Sequence, residues 1–225
     1  MHQNHFWLHE KIDNALASFF DPNSDIIPAI KQWKAQRKHF HLHITGPSYT
    51  GKTHLIYGLI NEFAGHDALF INQHSQQVIN HPEELLTPSI LIIDDLTNII
   101  DNMISTEQFI ALYNHRLGNR LPLITAGEEL EKMNHKADLV SRIKSATLIQ
   151  THDRYAPNDL VHLHQLIAKR HGYNLDQSVA LKLATFYEKR VSVQLPVLFE
   201  FLQYLQATKK NPSVSSFSAF QKALG

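Results

Sequence analysis

The first two thirds of the chain alternate between the apolar spacing of strands and that of helices. Residues 39–45 alternate polar and apolar types, as a strand does, and Ile90–Ile93 is a continuous apolar run typical of a strand buried on both faces. The other predicted strands are Ala68–Asn72, Leu121–Ala126 and Ala146–Gln150, and the predicted helices are Ile26–Gln36, His54–Phe63, Thr106–Leu117 and Leu139–Ile143. This order predicts an α/β fold with a five-stranded parallel sheet flanked by helices. We expect the strand at 39–45 to be the central one.

The last third of the chain carries only the helical spacing. Its predicted helices are Asn158–Arg170, Asp176–Lys189, Gln194–Thr208 and Val214–Leu224. We therefore predict a small all-helical domain at residues 156–225 and an α/β domain at 24–155. Residues 1–23 are expected to form a separate N-terminal segment.

Composition and charge exclude several classes of protein. The chain has no cysteine, so it has neither a disulfide framework nor a thiolate metal site. Its 21 basic and 21 acidic side chains balance, which removes a whole-molecule basic field for nucleic acid. Because no apolar stretch approaches the ~20 residues of a membrane span and no signal-peptide pattern opens the chain, we expect a cytoplasmic protein without membrane contact.

The segment Gly46-Pro-Ser-Tyr-Thr-Gly-Lys-Thr53 fits the phosphate-loop pattern between a predicted strand and a predicted helix. Glycines allow backbone N–H groups to turn inward around phosphates, and the helix N-terminus favours negative charge. Lys52 would contact the β- and γ-phosphates of a nucleotide, and the Thr53 hydroxyl would bind Mg²⁺. The alternative is an ordinary glycine-rich turn. The predicted nucleotide-binding residues are Asn23, Gly46, Tyr49, Thr50, Gly51, Lys52, Thr53 and His54.

Two aspartates end the apolar run Ile90–Ile93. Carboxylates at the carboxyl end of a parallel strand lie where open α/β sheets bind ligands. Asp94 would hold Mg²⁺ together with Thr53, and Asp95 would polarise an attacking water as a catalytic residue. The alternative is a strand that runs into a polar turn.

With these motifs in place, the sequence resembles the DnaA branch of the AAA+ ATPases, and within it the DnaA regulatory inactivator family, Hda. Residues 16–20 with Asn23 and Ser24 are similar to the segment that packs against adenine in that family. Asp138-Leu-Val-Ser-Arg142-Ile resembles the box that carries an arginine finger. Further matching positions are Gly51–Leu55, Leu112–Arg116, Leu123–Thr125, Leu198, Phe199, Leu202 and Leu205.

The resemblance implies an AAA+ domain followed by a helical lid, with ADP or ATP and Mg²⁺ as ligands and no helix-turn-helix domain. It implies a regulator that inhibits replication initiation: Arg142 would be offered to ATP-bound DnaA, which is left in its ADP form. The implied partners are DnaA and the sliding clamp, the β subunit of DNA polymerase III, with DNA contacted indirectly through the clamp. Gln3, Phe6 and Leu8 match the register of the family's clamp-binding peptide.

Three positions depart from the family. Tyr49 replaces a third loop glycine, and Gly127 stands where a polar residue, often aspartate, usually follows the fourth strand. Pro196 occupies the place of the sensor-2 arginine, in what we expect to be the first turn of a helix, with Lys189 and Arg190 nearby as substitutes. These departures predict a protein that holds ADP and hydrolyses ATP slowly.

Several alternatives stay open from the sequence. The chain could be a helicase loader or transposase helper, or a non-catalytic nucleotide-binding adaptor, and Arg142 could be an ordinary surface arginine. The N-terminal residues could be disordered or folded back on the core, and self-association is open. His39, His41 and His43 share one strand face, where we favour packed or hydrogen-bonded histidines over a metal site, whereas His162 and His164 are expected at the surface.

Overall fold

The computed structural model of the 225-residue chain describes residues 16–36, 41–75, 82–133 and 137–224. Within these ranges one parallel sheet is formed by His41–Thr45 (β1), Ala68–Ile71 (β2), Ile90–Ile93 (β3), Leu123–Gly127 (β4) and Thr147–Gln150 (β5). The strand order is β2-β3-β4-β1-β5. This confirms the predicted five-stranded parallel sheet, and it brings all five carboxyl ends to one edge.

The strand that leads into Gly46 is not the central one, so that expectation was wrong. β1 pairs with β4 on one side and with β5 on the other, which makes β4 the middle strand. Three strands extend the sheet beyond one side of β1, whereas only β5 extends it beyond the other. All five residues of β1 are nevertheless buried, as expected for an interior strand.

Helices cover both faces of the sheet in the first compact unit, residues 16–151. One face packs against α1 (Ile26–Gln36) and α2 (Lys52–Glu62) through strand residues such as Ile44 and Ile92. The other face uses their alternate neighbours, such as Ile93, and packs against α3, α4 and α5. These three helices span Leu96–Asn102, Thr106–Gly118 and Ala137–Lys144.

Helix α3 was not predicted from the sequence. It has only 7 residues, and its polar members, which include two asparagines, are weak helix formers. However, Leu96, Ile99 and Ile100 have the spacing of one helix face and are all buried against the sheet. Tertiary packing therefore determines that this segment is helical. The spacing of its apolar residues was the signal for the helix in the sequence.

Residues 152–224 form a second compact unit of four helices. They are α6 (Pro157–Arg170), α7 (Gln177–Phe186), α8 (Val191–Thr208) and α9 (Val214–Leu224). Helix α7 ends before the predicted Lys189, and α8 begins before the predicted Gln194. Among the described helices, none combines the length and the apolar character needed to cross a bilayer.

The early start of α8 has a long-range cause. The carboxylate of Asp153 accepts hydrogen bonds from the backbone N–H and the hydroxyl of Ser192, at 2.7 and 2.9 Å, and so caps the first turn. Pro196 therefore lies inside α8 and not in its first turn, which corrects our expectation. Without an N–H, Pro196 cannot make the helix bond to the carbonyl of Ser192.

His164 lies inside the second unit, contrary to the predicted surface position, whereas His162 is exposed. His164 is 0% exposed, and burial lowers its pKa from 6.5 to about 4. The unfolded chain therefore binds more protons than the folded chain between these pH values. It follows that this histidine costs stability progressively as the pH falls below 6.5.

Arg116 on α4 is a fully buried cation whose hydrogen-bond partners are carbonyl oxygens. Its guanidinium donates to Leu85 O, Pro88 O and Pro122 O at 3.1, 3.0 and 2.8 Å, with a longer bond to Ser89 O at 3.5 Å. Burial lowers the pKa of Arg116 to about 10, so it stays charged at neutral pH. The side chain thus ties the segments before β3 and β4 to α4.

We expect Arg116→Met to lower the free energy of unfolding by about 3 kcal/mol, because several buried carbonyls lose their donor at once. Urea denaturation of the purified protein measures the change. Arg120→Met is the matched control, since Arg120 is exposed in the turn that follows the same helix and should change stability by less than about 0.5 kcal/mol. Equal effects of the two substitutions would contradict this role for Arg116.

Candidate nucleotide-binding site

The loop between β1 and α2 has a backbone that requires glycine at two positions. Gly46 and Gly51 have φ of +146° and +91°. A Cβ on Gly46 would lie 2.1 Å from Thr151 Oγ1, and a Cβ on Gly51 would lie 2.6 Å from Phe19 Cε2. Both glycines are therefore fixed by backbone conformation and by close contact.

Tyr49 in the same loop also has a positive φ, +64°. An L-residue with a Cβ pays about 1–2 kcal/mol for this left-handed conformation. The chain thus keeps at this position the backbone shape that glycine would adopt without strain. The tyrosine side chain is exposed, so burial does not offset this conformational free energy.

Two hydroxyl-bearing side chains, those of Thr50 and Thr151, fasten the loop to the end of β5. Thr50 Oγ1 donates to Pro47 O at 2.8 Å and lies 2.5 Å from Thr151 Oγ1. Thr151 in turn bonds to Thr45 O through its backbone N–H at 2.8 Å and its hydroxyl at 3.2 Å. Sequence reasoning missed Thr151, because it follows Thr50 by 101 residues and only the sheet brings them together.

The ammonium of Lys52 folds back over the start of the loop. Its Nζ donates to Gly46 O at 2.8 Å and to Pro47 O at 2.7 Å. Burial lowers the pKa of Lys52, and the nearby carboxylates Asp94, Asp95 and Glu128 act in the opposite direction. A cation is thus held at the carboxyl edge of the sheet, within a group of acidic side chains.

Asp94 and Asp95 follow β3 at this same edge. Burial raises the pKa of Asp94, while a hydrogen bond from Thr53 and the backbone amide of Asp95 favour its charged form. The amide of Asp95 donates to Asp94 Oδ1 at 3.0 Å, and Asp95 itself is exposed, with φ of +56° at the start of α3. The fold therefore brings Lys52, Thr53 and both aspartates into one cluster.

The segment before α1 touches the loop through an aromatic ring. Phe19 lies against Gly51 and packs edge-on against His54, with ring centroids 5.7 Å apart. His54 Nε2 also lies 3.1 Å from Ser18 Oγ. Asn23, by contrast, is exposed in the turn that precedes α1. Of this segment, Phe19 is thus the residue that the structure places on the loop.

Arg142 is on α5, in a different part of the first unit, and its side chain contacts α4. Its Nε donates to Asn114 Oδ1 at 3.1 Å, and its backbone carbonyl accepts from Ser145 Oγ at 2.7 Å. Ser145 Oγ also lies 2.8 Å from Tyr113 OH, which anchors this end of α5 on α4. No hydrogen bond joins the terminal nitrogens of Arg142 to another residue in the described ranges. Gln3, Phe6 and Leu8 lie outside those ranges.

The strand histidines are buried and hydrogen-bonded where they are described. His41 Nε2 lies 3.3 Å from Tyr113 O, and His43 Nδ1 lies 2.7 Å from Thr125 Oγ1, whereas His39 is outside the described residues. Burial, with a smaller contribution from Lys52, lowers the pKa of His43 to about 4, so the ring is neutral at pH 7. In the described part of the chain, no three His, Cys, Asp or Glu side chains converge on a common point.

In the second unit, Arg190 forms an ion pair with a carboxylate. Its Nε donates to Asp153 Oδ2 at 2.8 Å, and its Nη1 lies 3.7 Å from Glu188. Burial alone would raise the pKa of Asp153, but Ser192 and Arg190 together lower it below its ordinary value. Lys189 is exposed. Arg190 therefore supports the start of α8 through an ion pair.

Comparison with known proteins places this geometry in a fold class. No family model matches the chain. A protein of Haemophilus influenzae described as uncharacterized is 25% identical over 206 residues, which cover 88% of this chain and 87% of that protein. Domain III of the replication initiation protein DnaA from Thermotoga maritima matches with a TM-score of 0.75 at 15% identity, over 95% of this chain and 97% of that one.

Two further solved structures are similar over most of this chain. The replication initiator DnaA bound to AMPPCP and single-stranded DNA has a TM-score of 0.70 at 15% identity, over 95% of this chain and 68% of that one. The RuvB Holliday junction branch migration motor of Thermotoga maritima has a TM-score of 0.64 at 14% identity, over 94% and 72%. The chain therefore has the AAA+ fold, with the helical region that follows its α/β sheet.

We expect Gly46→Ala to lower the free energy of unfolding by about 1–3 kcal/mol more than Gly65→Ala does, because only the first places a Cβ against Thr151. Gly65 is a matched control: its φ is also positive, +92°, but a Cβ there meets nothing within 4 Å. Chemical denaturation of both variants measures the difference. Equal losses would mean that backbone strain alone, and not the contact with Thr151, fixes Gly46.

Proposed function

We propose that this chain binds an adenine nucleotide and regulates replication initiation, by stimulating ATP hydrolysis on DnaA at the DNA-loaded sliding clamp. The observation that carries the nucleotide site is the loop from Gly46 to Thr53, where two glycines permit a backbone shape that a Cβ would block and Lys52 supplies the cation. On this proposal Lys52 contacts the β- and γ-phosphates, and the amides of the loop surround them.

The residues at the edge of the sheet suit a magnesium ion bound with the nucleotide. Thr53 and Asp94 offer a hydroxyl and a carboxylate that already face each other. Mg²⁺ at phosphate sites uses one or two protein ligands and completes its shell with water and phosphate oxygens. Asp95, exposed next to Asp94, is assigned the polarisation of a water molecule. The DnaA structure with AMPPCP, which shares this fold, supports an adenine nucleotide as the ligand.

The regulatory part of the proposal depends on Arg142. Its bond to Asn114 uses Nε, the nitrogen that a bidentate contact through the two terminal nitrogens does not need. Held in this way, a guanidinium on the α4–α5 face could stabilise charge on the γ-phosphate of ATP bound to another AAA+ subunit, here DnaA. We assign recruitment to Gln3, Phe6 and Leu8, which would bind the clamp and thereby hold the protein on DNA.

One competing function is favoured by particular residues. A non-catalytic adaptor would need neither a polar group at position 127 nor an arginine at position 196, and the chain has Gly127 and Pro196 there. The four-helix second unit disfavours a helicase loader or transposase helper, for which we expect a smaller lid. Arg142 separates the two remaining functions, because an adaptor has no use for a catalytic arginine.

We expect the isolated protein to hydrolyse bound ATP in single turnover at less than about 10⁻² s⁻¹, the rate that a related P-loop protein reaches with an arginine in cis. The physical reason is the missing charge at positions 127 and 196. Quenched-flow measurement of ADP formation checks this, with Lys52→Met as the control that should lose binding of both ATP and ADP. Hydrolysis at the rate of a motor ATPase would contradict the proposal.

We expect Arg142→Ala to abolish the stimulation of DnaA, since an arginine finger contributes about 10³–10⁵ to the rate. The assay mixes the protein with clamp-loaded DNA and ATP-bound DnaA and follows ADP formation. Lys144→Ala is the matched control, because Lys144 is exposed in the last turn of the same helix.

The outcomes of this assay separate the candidate functions. Loss of stimulation in Arg142→Ala alone, with ADP affinity unchanged, supports the arginine-finger role. Full stimulation by Arg142→Ala would remove that role, and no stimulation by the unaltered protein would favour the adaptor.

A further inference from the structure

Two buried polar atoms beside Gly127 have no hydrogen-bond partner among the described residues. They are Nε2 of His43 on β1 and Oγ1 of Thr97 on α3. A Cβ built on Gly127 would lie 3.3 Å from His43 Cε1 and 3.7 Å from Thr97 Oγ1. Both side chains therefore border the space that a larger residue at position 127 would fill. Such orphaned polar atoms are rare in folded proteins and call for an explanation.

This space belongs to the carboxyl edge of the sheet. Gly127 pairs with Thr45, the residue before Gly46, and Thr97 follows the Asp94–Asp95 pair along the chain. His43 is close enough to Lys52 for that ammonium to influence its pKa. The two orphaned atoms thus lie near the carboxyl edge of the sheet, where the phosphate loop begins.

The His43 ring is fixed and nearly inaccessible. It is 1% exposed, and its Nδ1 is engaged with Thr125 Oγ1 at 2.7 Å. That bond sets the orientation of the ring and leaves Nε2 directed away from Thr125. Because a Cβ at position 127 would crowd the imidazole, a polar side chain there and His43 compete for one volume. The absence of a side chain at Gly127 and the presence of His43 are therefore linked.

We propose that His43 and Thr97 supply the polar group that Gly127 lacks. Together they bind the terminal phosphate of a nucleoside triphosphate, either directly at one of its oxygen atoms or through a water molecule that this phosphate also contacts. The inference rests on the proposed nucleotide site and deepens it. His43 Nε2 and Thr97 Oγ1 give two of the partners that a bound water requires, and the phosphate gives a third. A diphosphate lacks that third partner, so the pair distinguishes ATP from ADP.

The test measures dissociation constants of the 225-residue chain for ADP and for the non-hydrolysable AMPPCP. Thr97→Val keeps the size of the side chain and removes the hydroxyl, and His43→Phe removes Nε2. We expect each to weaken AMPPCP binding by about tenfold relative to ADP, the size of one hydrogen bond to a charged group. His41→Phe is the matched control, because His41 lies on the same face of β1 but bonds to Tyr113.

A relocation variant makes the test more specific. In His43→Ala/Gly127→Asn the polar group moves from β1 to β4 into space that the imidazole has left, so the preference for AMPPCP should return. If His43→Phe does not fold, Thr97→Val and the relocation variant carry the same comparison.

Each result has one meaning. An unchanged ratio of the two dissociation constants in Thr97→Val and His43→Phe overturns the inference while leaving the nucleotide site intact. Equal weakening of both ligands assigns His43 a structural role only and also overturns it. If the unaltered protein binds neither nucleotide, the proposed function itself fails, and the inference fails with it.

Discussion

Two hydrogen bonds from the Lys52 ammonium to the carbonyls of Gly46 and Pro47 hold the phosphate loop together. These two bonds, at 2.8 and 2.7 Å, close the loop upon the first turn of α2. Burial of the charge lowers the pKa of Lys52, and the carboxylates Asp94, Asp95 and Glu128 offset this effect in part. A phosphate oxygen would compete with neutral carbonyls for the ammonium, and it would form the stronger bond because both partners are charged. On our proposal, a phosphate would therefore replace these carbonyls as the partner of Lys52.

This arrangement requires the sheet, because its parts come from widely separated segments. The loop follows β1, the aspartates follow β3, and Thr151 follows β5, and parallel pairing places these three ends at one edge. Local chemistry made the loop and the aspartates predictable, since a glycine pattern before a lysine and two carboxylates after an apolar strand each have a clear physical use. The contacts of Thr151 and Phe19 with the loop depend on tertiary packing, and no local pattern predicts which loop residue each one meets.

The errors in the sequence-based prediction have the same origin. Helix α3 forms because its three apolar residues pack on the sheet, despite weak propensity. The start of α8 is set by Asp153, nearly forty residues away, and His164 is buried by the packing of the second unit. The order of the strands, with β4 in the middle, is likewise a property of pairing. The alternation of strands and helices was sufficient for the fold class, whereas positions fixed by distant partners required the structure.

The departures at positions 127 and 196 are not equivalent. At Gly127 the chain offers His43 and Thr97, whose polar atoms border the vacated volume and lack partners within the described residues. At Pro196 the nearby cation Arg190 is already bound to Asp153 and would have to break that ion pair before it could serve a phosphate. On our proposal, recognition of the terminal phosphate therefore comes from the α/β unit alone. Such a site can still distinguish ATP from ADP, but it lacks the second positive charge that would favour the transition state of hydrolysis. Slow hydrolysis and nucleotide-dependent binding are then compatible properties of one site, as a regulator that acts on another protein's ATP requires.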